Sequence, residues 1–201
     1  MLRRPVPHHP EEGASKSDAQ DRQLHLHHAR RRGRAAHTWP RLDGRAADPR
    51  EDTVQTDLLL ACDDALMGRR TYEIFAPAWQ ARSGDPLSDR MNTIPKYVVS
   101  TTLKDPDWAN PTVISNDAAA EIRKLEEQPG QDIVQYGFGA VSALLMENNL
   151  LDELRLWFHP LFLGKGTSDD LLFPKGPATQ FDLVDSAIFN DGMMILTYRV
   201  S

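Results

Sequence analysis

The chain of 201 residues contains one cysteine, Cys62, and no long hydrophobic run. A single thiol excludes an intramolecular disulfide framework and fits a reducing, cytoplasmic setting. No run approaches the roughly 20 apolar residues that a membrane-spanning helix needs, and no apolar stretch typical of a signal peptide follows the early arginines. Cys62 ends an apolar run from Leu58, where we expect a small core residue rather than a nucleophile.

Positive charge is scarce beyond residue 50. Residues 51–201 hold 12 Lys and Arg against 23 Asp and Glu, a net charge of −11. Residues 1–50 hold 11 against 6, a net charge of +5, together with six of the seven histidines. An anionic ligand is therefore repelled by most of the second part, and any paired cations there stand out. The composition predicts a basic segment, 1–50, followed by one domain, 51–201.

The basic segment has few large aliphatic residues and no sustained period of 2 or 3.6. Runs of proline, histidine and arginine follow one another in Pro5–Pro10, His25–His28 and Arg30–Arg34. Such a segment cannot bury a core, so we expect a disordered tail. Metal binding by the histidines and nucleic-acid binding by the arginines are formal alternatives, but ligand spacing and interleaved aromatics are lacking. We expect no metal, nucleic acid or membrane partner.

From Thr56 onward, helix and strand signals alternate. Helices are expected over Leu58–Cys62 with Thr56 as cap, over Thr71–Ala76 ended by Pro77, from Asn116 or Asp117 to Pro129, and from Ala140 to Asn148, with a polar loop over Arg82–Arg90. Strands are expected over Ala65–Met67, Lys96–Thr101, Thr112–Ser115, Asp132–Tyr136, Glu153–Leu163, Phe181–Ile188 and Met193–Val200. Asp191-Gly192 is a hairpin signal. The pattern predicts an α/β fold with a mostly parallel sheet and a C-terminal antiparallel hairpin.

Two joints between a strand and a helix contain glycine. The first is Tyr136-Gly137-Phe138-Gly139-Ala140-Val141, and the second is Ala65-Leu66-Met67-Gly68-Arg69-Arg70-Thr71-Tyr72. Bare backbone and the free N–H groups of a helix start can bind a phosphate, and a guanidinium suits phosphate oxygens. Close packing at the glycines and a solvated turn at the arginines are the alternatives. Both joints lie where parallel strands end, so one ligand can face both.

Four ordered blocks resemble a known family. They are Asp64 to Glu73 (DALMGRRTYE), Pro95 to Leu103 (PKYVVSTTL), Asp132 to Gly139 (DIVQYGFG), and Leu151 to Arg155 (LDELR) with Pro160 to Gly166 (PLFLGKG). Over about residues 57–200 the chain resembles the dihydrofolate reductase-like fold, specifically the reductase (RibD C-terminal) domain of the bifunctional riboflavin-biosynthesis deaminase-reductase and its stand-alone bacterial relatives. The resemblance implies a mixed, mostly parallel sheet flanked by helices.

The resemblance also implies an NADPH-dependent oxidoreductase acting on CH–NH or CH–OH donors, with an activity like that of 5-amino-6-(5-phosphoribosylamino)uracil reductase on a pterin- or pyrimidine-like substrate. It places Gly68, Arg69, Arg70 and Thr71 near the cofactor phosphates, and Ser100, Thr101 and Thr102 near the 2′-phosphate. It assigns the pyrophosphate to Gly137, Phe138, Gly139, Ala140 and Val141. Hydroxyls bonded to local backbone are the alternative for Ser100 to Thr102.

The chain departs from this family at its front, where relatives begin with a central strand and a Leu-Asp-Gly loop. No β-rich run precedes residue 54, and only Leu42-Asp43-Gly44 resembles that loop. The Arg/His/Pro/Ala-rich composition is what wrong-frame translation of GC-rich DNA yields, which is a hypothesis that resequencing tests. The alternative function is a non-catalytic nucleotide-binding relative, with its substrate half degraded, that serves as an interaction module.

No catalytic residue is assigned from the sequence. Asp64, Glu73 and His159 are conceivable proton donors, but a helix end, a solvated helix face and a packed strand are the respective alternatives. Trp157 and Phe158 on a late strand permit a homodimer.

Overall fold

The computed structural model describes residues 24–28, 48–109, 111–160 and 178–201. The helices in these ranges are α1 (Pro49–Leu60), α2 (Arg69–Gln80), α3 (Pro86–Thr93), α4 (Ala118–Glu126) and α5 (Ala140–Glu147). The strands are β1 (Leu24–His28), β2 (Cys62–Gly68), β3 (Lys96–Val99), β4 (Pro111–Ile114), β5 (Asp132–Tyr136), β6 (Glu153–Phe158), β7 (Phe181–Ile188) and β8 (Met194–Val200). Among these helices, none has the length and apolar character needed to cross a membrane.

The strands form one sheet in the order β4-β3-β2-β5-β1-β6-β8-β7. The first six strands of this order, from β4 to β6, are parallel to one another. Strand β8 runs antiparallel to both β6 and β7. The hairpin closes through Phe189 N–H donating to Met193 O at 2.9 Å, and Gly192 adopts a φ of +89° in the turn. The predicted α/β fold with a C-terminal antiparallel hairpin is confirmed.

Strand β1 lies in the middle of the sheet. Leu24 is opposite Ile133 of β5, and Leu26 is opposite Leu154 of β6. The expectation that no strand precedes residue 54 is therefore wrong for residues 24–28. The physical reason is that β5 and β6 would otherwise each expose a row of unpaired backbone N–H and C=O groups. A period of two, with leucine at 24 and 26 between histidines, was the available signal.

The rest of the first 47 residues, including Arg30–Arg34 and Leu42-Asp43-Gly44, lies outside the described residues. The division of the chain at residue 50 stays a prediction. Asp48 and Arg50, on the tail side of that boundary, contact the hairpin. Asn190 N–H donates to Asp48 Oδ2 at 3.0 Å, and the Arg50 guanidinium lies 5.2 Å from the centre of the Phe189 ring.

The parallel strands β2 and β5 are buried on both faces, as expected for parallel strands with crossover helices. In β2, Ala65 and Met67 join a cluster with Trp79, while the intervening Leu66 joins a cluster with Leu145 on the other face. Strand β5 alternates in the same way. The period of two in these short strands therefore fixes which face each side chain enters and holds β2 and β5 side by side.

Several helix boundaries differ from the sequence predictions. Asp48, not Thr56, caps the first helix, and its carboxylate accepts from Arg50 N–H at 3.0 Å. Helix α2 continues through Pro77 to Gln80, because Phe75, Ala76 and Trp79 are buried against the core and this packing offsets the cost of about 3 kcal/mol for an interior proline.

The predicted polar loop over Arg82–Arg90 is also wrong in its second half, where α3 begins at Pro86. Asp85 accepts from Ser88 N–H at 2.9 Å, and Leu87 and Met91 are buried one turn apart. The Asp-Pro start followed by an i, i+4 apolar pair was the available signal.

Candidate functional site

The two glycine joints lie side by side at one edge of the sheet. Strands β2 and β5 are parallel neighbours with Met67 opposite Tyr136, so Gly68 and Gly137 follow adjacent strand ends. A β-carbon built on Gly137 would overlap the Thr71 hydroxyl, and one built on Gly68 would lie 3.3 Å from Val141 Cγ2. Each joint thus packs against the first turn of the other joint's helix. The predicted convergence of the joints is confirmed, while their binding role stays a prediction.

The Gly137 joint is held in place by hydrogen bonds from buried polar side chains. Gln135 Nε2 donates to the carbonyl oxygens of Tyr136 and Gly137 at 3.0 and 2.8 Å, and Ser142 Oγ donates to Gln135 Oε1 at 3.2 Å. Both side chains are almost fully buried. Gly137 has a φ of +86°, a conformation that glycine adopts without steric cost. The hydrogen bonds of Gln135 and Ser142, which we call the brace, fix the turn in one conformation. Gln135 and Ser142 were not predicted from the sequence, although this polar pair flanks the glycines there.

The helices at the two joints begin without a side-chain cap. Gly68 precedes α2 and Gly139 precedes α5, and neither can offer a side-chain acceptor. The other three described helices each have an aspartate cap and an acidic residue in the first turn, the caps being Asp48, Asp85 and Asp117. The first N–H groups of α2 and α5 therefore lack the acceptor that the other helices carry.

Helix α2 also reverses the usual charge preference of a helix start. Its first turn contains Arg69 and Arg70 and no acidic residue. Cations near a helix N-terminus are disfavoured by its dipole, by about 0.3–1 kcal/mol each at an exposed site. The start of α2 at this edge of the sheet is therefore positively charged and uncapped, in a domain that is otherwise acidic.

The two arginines differ in their contacts. Arg69 Nε donates to Glu73 Oε1 at 2.6 Å, and Arg69 Nη1 donates to Thr102 Oγ1 at 2.7 Å. Arg70 is exposed and makes no ion pair or hydrogen bond with its side chain in the part of the chain that the structure describes. Arg70 is thus open to an exogenous anion, whereas Arg69 ties α2 to the loop after β3.

The loop after β3 lies beside the Gly68 joint, because Val99 is opposite Gly68 in the register of β2 and β3. Ser100 is buried, and its Oγ accepts from Thr102 N–H at 3.1 Å and Leu103 N–H at 2.9 Å. For Ser100, the alternative of a hydroxyl bonded to local backbone is therefore the one observed. Thr101 and Thr102 are exposed. Ser100 shapes the turn, and the two threonines face outward from it.

The residues of the Gly137 joint also divide by exposure. Gly139 and Ala140 are exposed, and no atom lies within 4 Å of a β-carbon built on Gly139. Phe138 is half-buried and Val141 is buried, as is Thr71 in the other joint. The accessible surface of this joint is consequently backbone, whereas Val141 and Thr71 contribute packing between the joints.

The structure separates the three conceivable proton donors. Asp64 is buried in β2, four residues before Gly68, which puts it about 13 Å from the joints at the usual strand rise. Glu73 is paired with Arg69. His159 is half-buried and directly follows β6, whose end lies at the same edge of the sheet as the joints. Of the three, only His159 follows a strand end at this edge.

Comparison with known proteins identifies a family model and a bacterial relative that match most of this chain. The model of the RibD C-terminal domain family matches residues 35–195. The protein YyaP of Bacillus subtilis strain 168 is 28% identical over 150 residues, which cover 72% of this chain and 77% of YyaP.

Solved structures share the fold. A diaminohydroxyphosphoribosylaminopyrimidine deaminase/5-amino-6-(5-phosphoribosylamino)uracil reductase from Thermotoga maritima superposes with a TM-score of 0.61 at 16% identity, covering 90% of this chain and 57% of that one. A pyrimidine reductase-like protein from Corynebacterium diphtheriae has a TM-score of 0.54 at 10% identity, covering 91% and 93%. This chain thus spans a little over half the length of the Thermotoga protein.

Proposed function

Because the chain belongs to the RibD C-terminal domain family, we propose that it is an NADPH-dependent reductase of a pyrimidine- or pterin-like substrate. The substrate class follows the names of the structural relatives, one of which is a 5-amino-6-(5-phosphoribosylamino)uracil reductase. In this proposal the chain works in the cytoplasm, as expected for a biosynthetic reductase with a single cysteine.

One observation supports the proposal most strongly: the start of α2 combines a glycine, two arginines and no cap. The arrangement is unfavourable for the free protein, since two cations face the positive end of the helix dipole. A phosphate placed there would satisfy uncapped N–H groups and both charges at once. The braced turn at Gly137, one strand away, offers a second stretch of accessible backbone.

The order of the strands arranges these groups along one line. The loop after β3, the Gly68 joint after β2 and the Gly137 joint after β5 follow three consecutive strands, which lie about 4.8 Å apart. Thr102 and the two arginines would take the 2′-phosphate side, and Gly139 with Ala140 the pyrophosphate. Residues with these properties fit a dinucleotide that lies across the strand ends.

When bound, the nicotinamide supplies the hydride. The protein's part is to hold the dinucleotide and the substrate in the reacting geometry and to exclude unreactive orientations of either one. Of the other strands that end at this edge, β1 and β6 lie beyond β5, and their ends would face the substrate. A proton must also reach the product. We assign no catalytic residue, and His159 is the titratable side chain to test first.

Nucleotide titration tests the proposal. Purified full chain is mixed with NADPH or NADH, and nicotinamide fluorescence gives the two dissociation constants. We expect NADPH to bind at least tenfold more tightly, because each charge-assisted hydrogen bond to the 2′-phosphate contributes about 1.5–3 kcal/mol. Equal affinities would contradict the assignment of the 2′-phosphate side.

The non-catalytic interaction module is tested in the same sample. After binding is established, oxidation of NADPH is followed by absorbance with pyrimidine and pterin substrates. Turnover supports the reductase. Tight NADPH binding without turnover on any member of either substrate class would favour the module.

We also propose that the chain forms a homodimer. Phe158, Met194 and Ile188 are opposite one another across β6, β8 and β7, and they are 43%, 38% and 70% exposed. Three adjacent apolar side chains in a row are typical of a contact surface. Light scattering of the purified protein should give twice the mass of the chain, and Ile188→Lys should reduce it to the mass of one chain. A monomer before substitution would contradict this proposal.

A further inference from the structure

Glu73 lies one turn into α2, beside the proposed phosphate site. Its carboxylate accepts from Arg69 Nε at 2.6 Å. Both side chains are about half exposed, at 46% for Arg69 and 45% for Glu73. An exposed pair of this kind contributes about 0–1 kcal/mol to stability. The order along the helix, with the cation N-terminal to the anion, is also the less favourable one.

The pair nevertheless determines how Arg69 is presented. The guanidinium has five N–H donors, and its contacts with Glu73 and Thr102 occupy one on Nε and one on Nη1. Within the part of the chain that the structure describes, the two partners hold the guanidinium from two sides and leave three donors for an anion. Glu73 therefore orients Arg69 and simultaneously places a negative charge next to it.

These two effects act in opposite directions on a bound phosphate. Orientation lowers the entropy cost of binding, whereas a carboxylate beside the phosphate, which carries a charge of about −1.5 to −2, repels it. A neutral side chain of the same shape can preserve the orientation without the repulsion, because a glutamine oxygen also accepts from Arg69 Nε.

We propose that Glu73 is a specificity-determining positioning residue that limits the preference for NADPH over NADH by partly neutralising Arg69. The inference rests on the proposed function, since it needs the 2′-phosphate to bind at Arg69. Arg70, whose guanidinium has no partner among the described residues, then supplies most of the net attraction for the 2′-phosphate. The negative charge of Glu73 limits this attraction. It thereby prevents slow dissociation of the bound nucleotide.

Three variants of the full chain test the proposal: Glu73→Gln, Glu73→Ala and the control Glu147→Gln. Glu147 is an exposed carboxylate at the opposite end of α5 from the Gly139 joint. Dissociation constants for NADPH and NADH are measured by fluorescence, together with the thermal unfolding midpoint of each variant. The affinity ratio of the two nucleotides is the readout, because a purely structural role would change both affinities equally.

We expect Glu73→Gln to bind NADPH about fivefold more tightly and NADH within twofold of the original protein, as expected for removal of one like charge at a solvated site. The gain should shrink at high salt, and Glu147→Gln should leave the ratio unchanged. Glu73→Ala loses the orientation as well, so its gain should be smaller.

The failures are distinguishable. If the original protein binds NADPH and NADH equally, the assignment of the 2′-phosphate side is overturned, and with it the proposed NADPH dependence. If it prefers NADPH and Glu73→Gln leaves that preference unchanged or lowers it, the proposed role of Glu73 alone is overturned.

Discussion

Gly137 and Thr71 belong to different crossovers, yet the Thr71 hydroxyl occupies the space that a β-carbon on Gly137 would need. This contact joins the two strand-to-helix turns into one surface. The surface is formed by the parallel register of β2 and β5, which brings both turns to the same edge at the same height.

Gly137→Ala should therefore lower stability by about 2 kcal/mol or more. Alanine is strained at a φ of +86°, which costs about 1–3 kcal/mol, and the new methyl group meets the Thr71 hydroxyl. Urea unfolding measures the change. Gly139→Ala is the matched control, because its β-carbon enters open space. In the double variant with Thr71→Ala the cost should be less than the sum of the single costs, and strict additivity would contradict the contact.

Arg70→Ala should weaken NADPH binding by about tenfold and NADH binding by less than twofold, since one charge-assisted hydrogen bond to a phosphate contributes about 1.5–3 kcal/mol. Arg69→Ala should weaken NADPH binding less, because Glu73 already neutralises that guanidinium. Fluorescence titration at two salt concentrations measures both. Arg199→Ala is the control, as this exposed arginine on β8 is four strands away from β2. Equal effects of all three substitutions would contradict a local phosphate site.

Lys96 should make the protein more stable as the pH rises from 7 to 9. Burial lowers the pKa of Lys96 to about 7, although Nζ donates to Ile94 O at 2.8 Å and lies 4.2 Å from the centre of the Trp108 ring. Between this pKa and the unfolded value of 10.5, the unfolded chain binds more protons, so the free energy of unfolding rises with pH. We expect a gain of about 2 kcal/mol between pH 7 and pH 9.

Urea unfolding at several pH values tests this. Lys96→Met should abolish the rise, whereas the exposed Lys104→Met should retain it. The window closes above pH 9, because burial raises the pKa of the Cys62 thiol to about 12 and an unfolded thiol ionises near 9. A flat profile between pH 7 and pH 9 in the original protein would show that Lys96 is solvated.

Glu126 should have the opposite effect at lower pH. Burial, with a smaller contribution from Asp152, raises the pKa of Glu126 to about 7, and its Oε1 is buried without a hydrogen-bond partner among the described residues. Between pH 4.5 and 7 the folded chain binds more protons than the unfolded chain. The free energy of unfolding should therefore fall by about 1 kcal/mol as the pH rises through this window, a small change because the site is half exposed. Glu126→Gln should remove the fall, and the exposed Glu127→Gln should keep it.

Local patterns predicted the elements where one physical signal dominates. Strand β5 has the bounds expected from its β-rich run, and Asp191-Gly192 makes the expected hairpin turn. Predictions failed where packing overrides a local signal. Pro77 does not end α2, because Trp79 beyond it is buried, and the histidine-rich β1 is a strand because its two neighbours need a partner.

The candidate site shows the same division. The glycines of both joints and the paired arginines of the Gly68 joint are visible in the sequence as departures from ordinary helix starts. Their contacts are not visible: Arg69 reaches Thr102 across 33 positions, and Ser100 uses its hydroxyl for its own turn. Exposure further separates Thr102, which faces outward, from the buried Thr71 and Val141.

The sequence alone determined the α/β class, the hairpin and the chemical character of each joint, because glycine freedom, charge and short-range periodicity are properties of neighbouring residues. Only the tertiary structure decided that the joints touch, that Arg69 is paired while Arg70 is free of protein partners in the described chain, and that β1 completes the sheet. Those outcomes depend on strand order and register, which arise from backbone hydrogen bonds between distant segments.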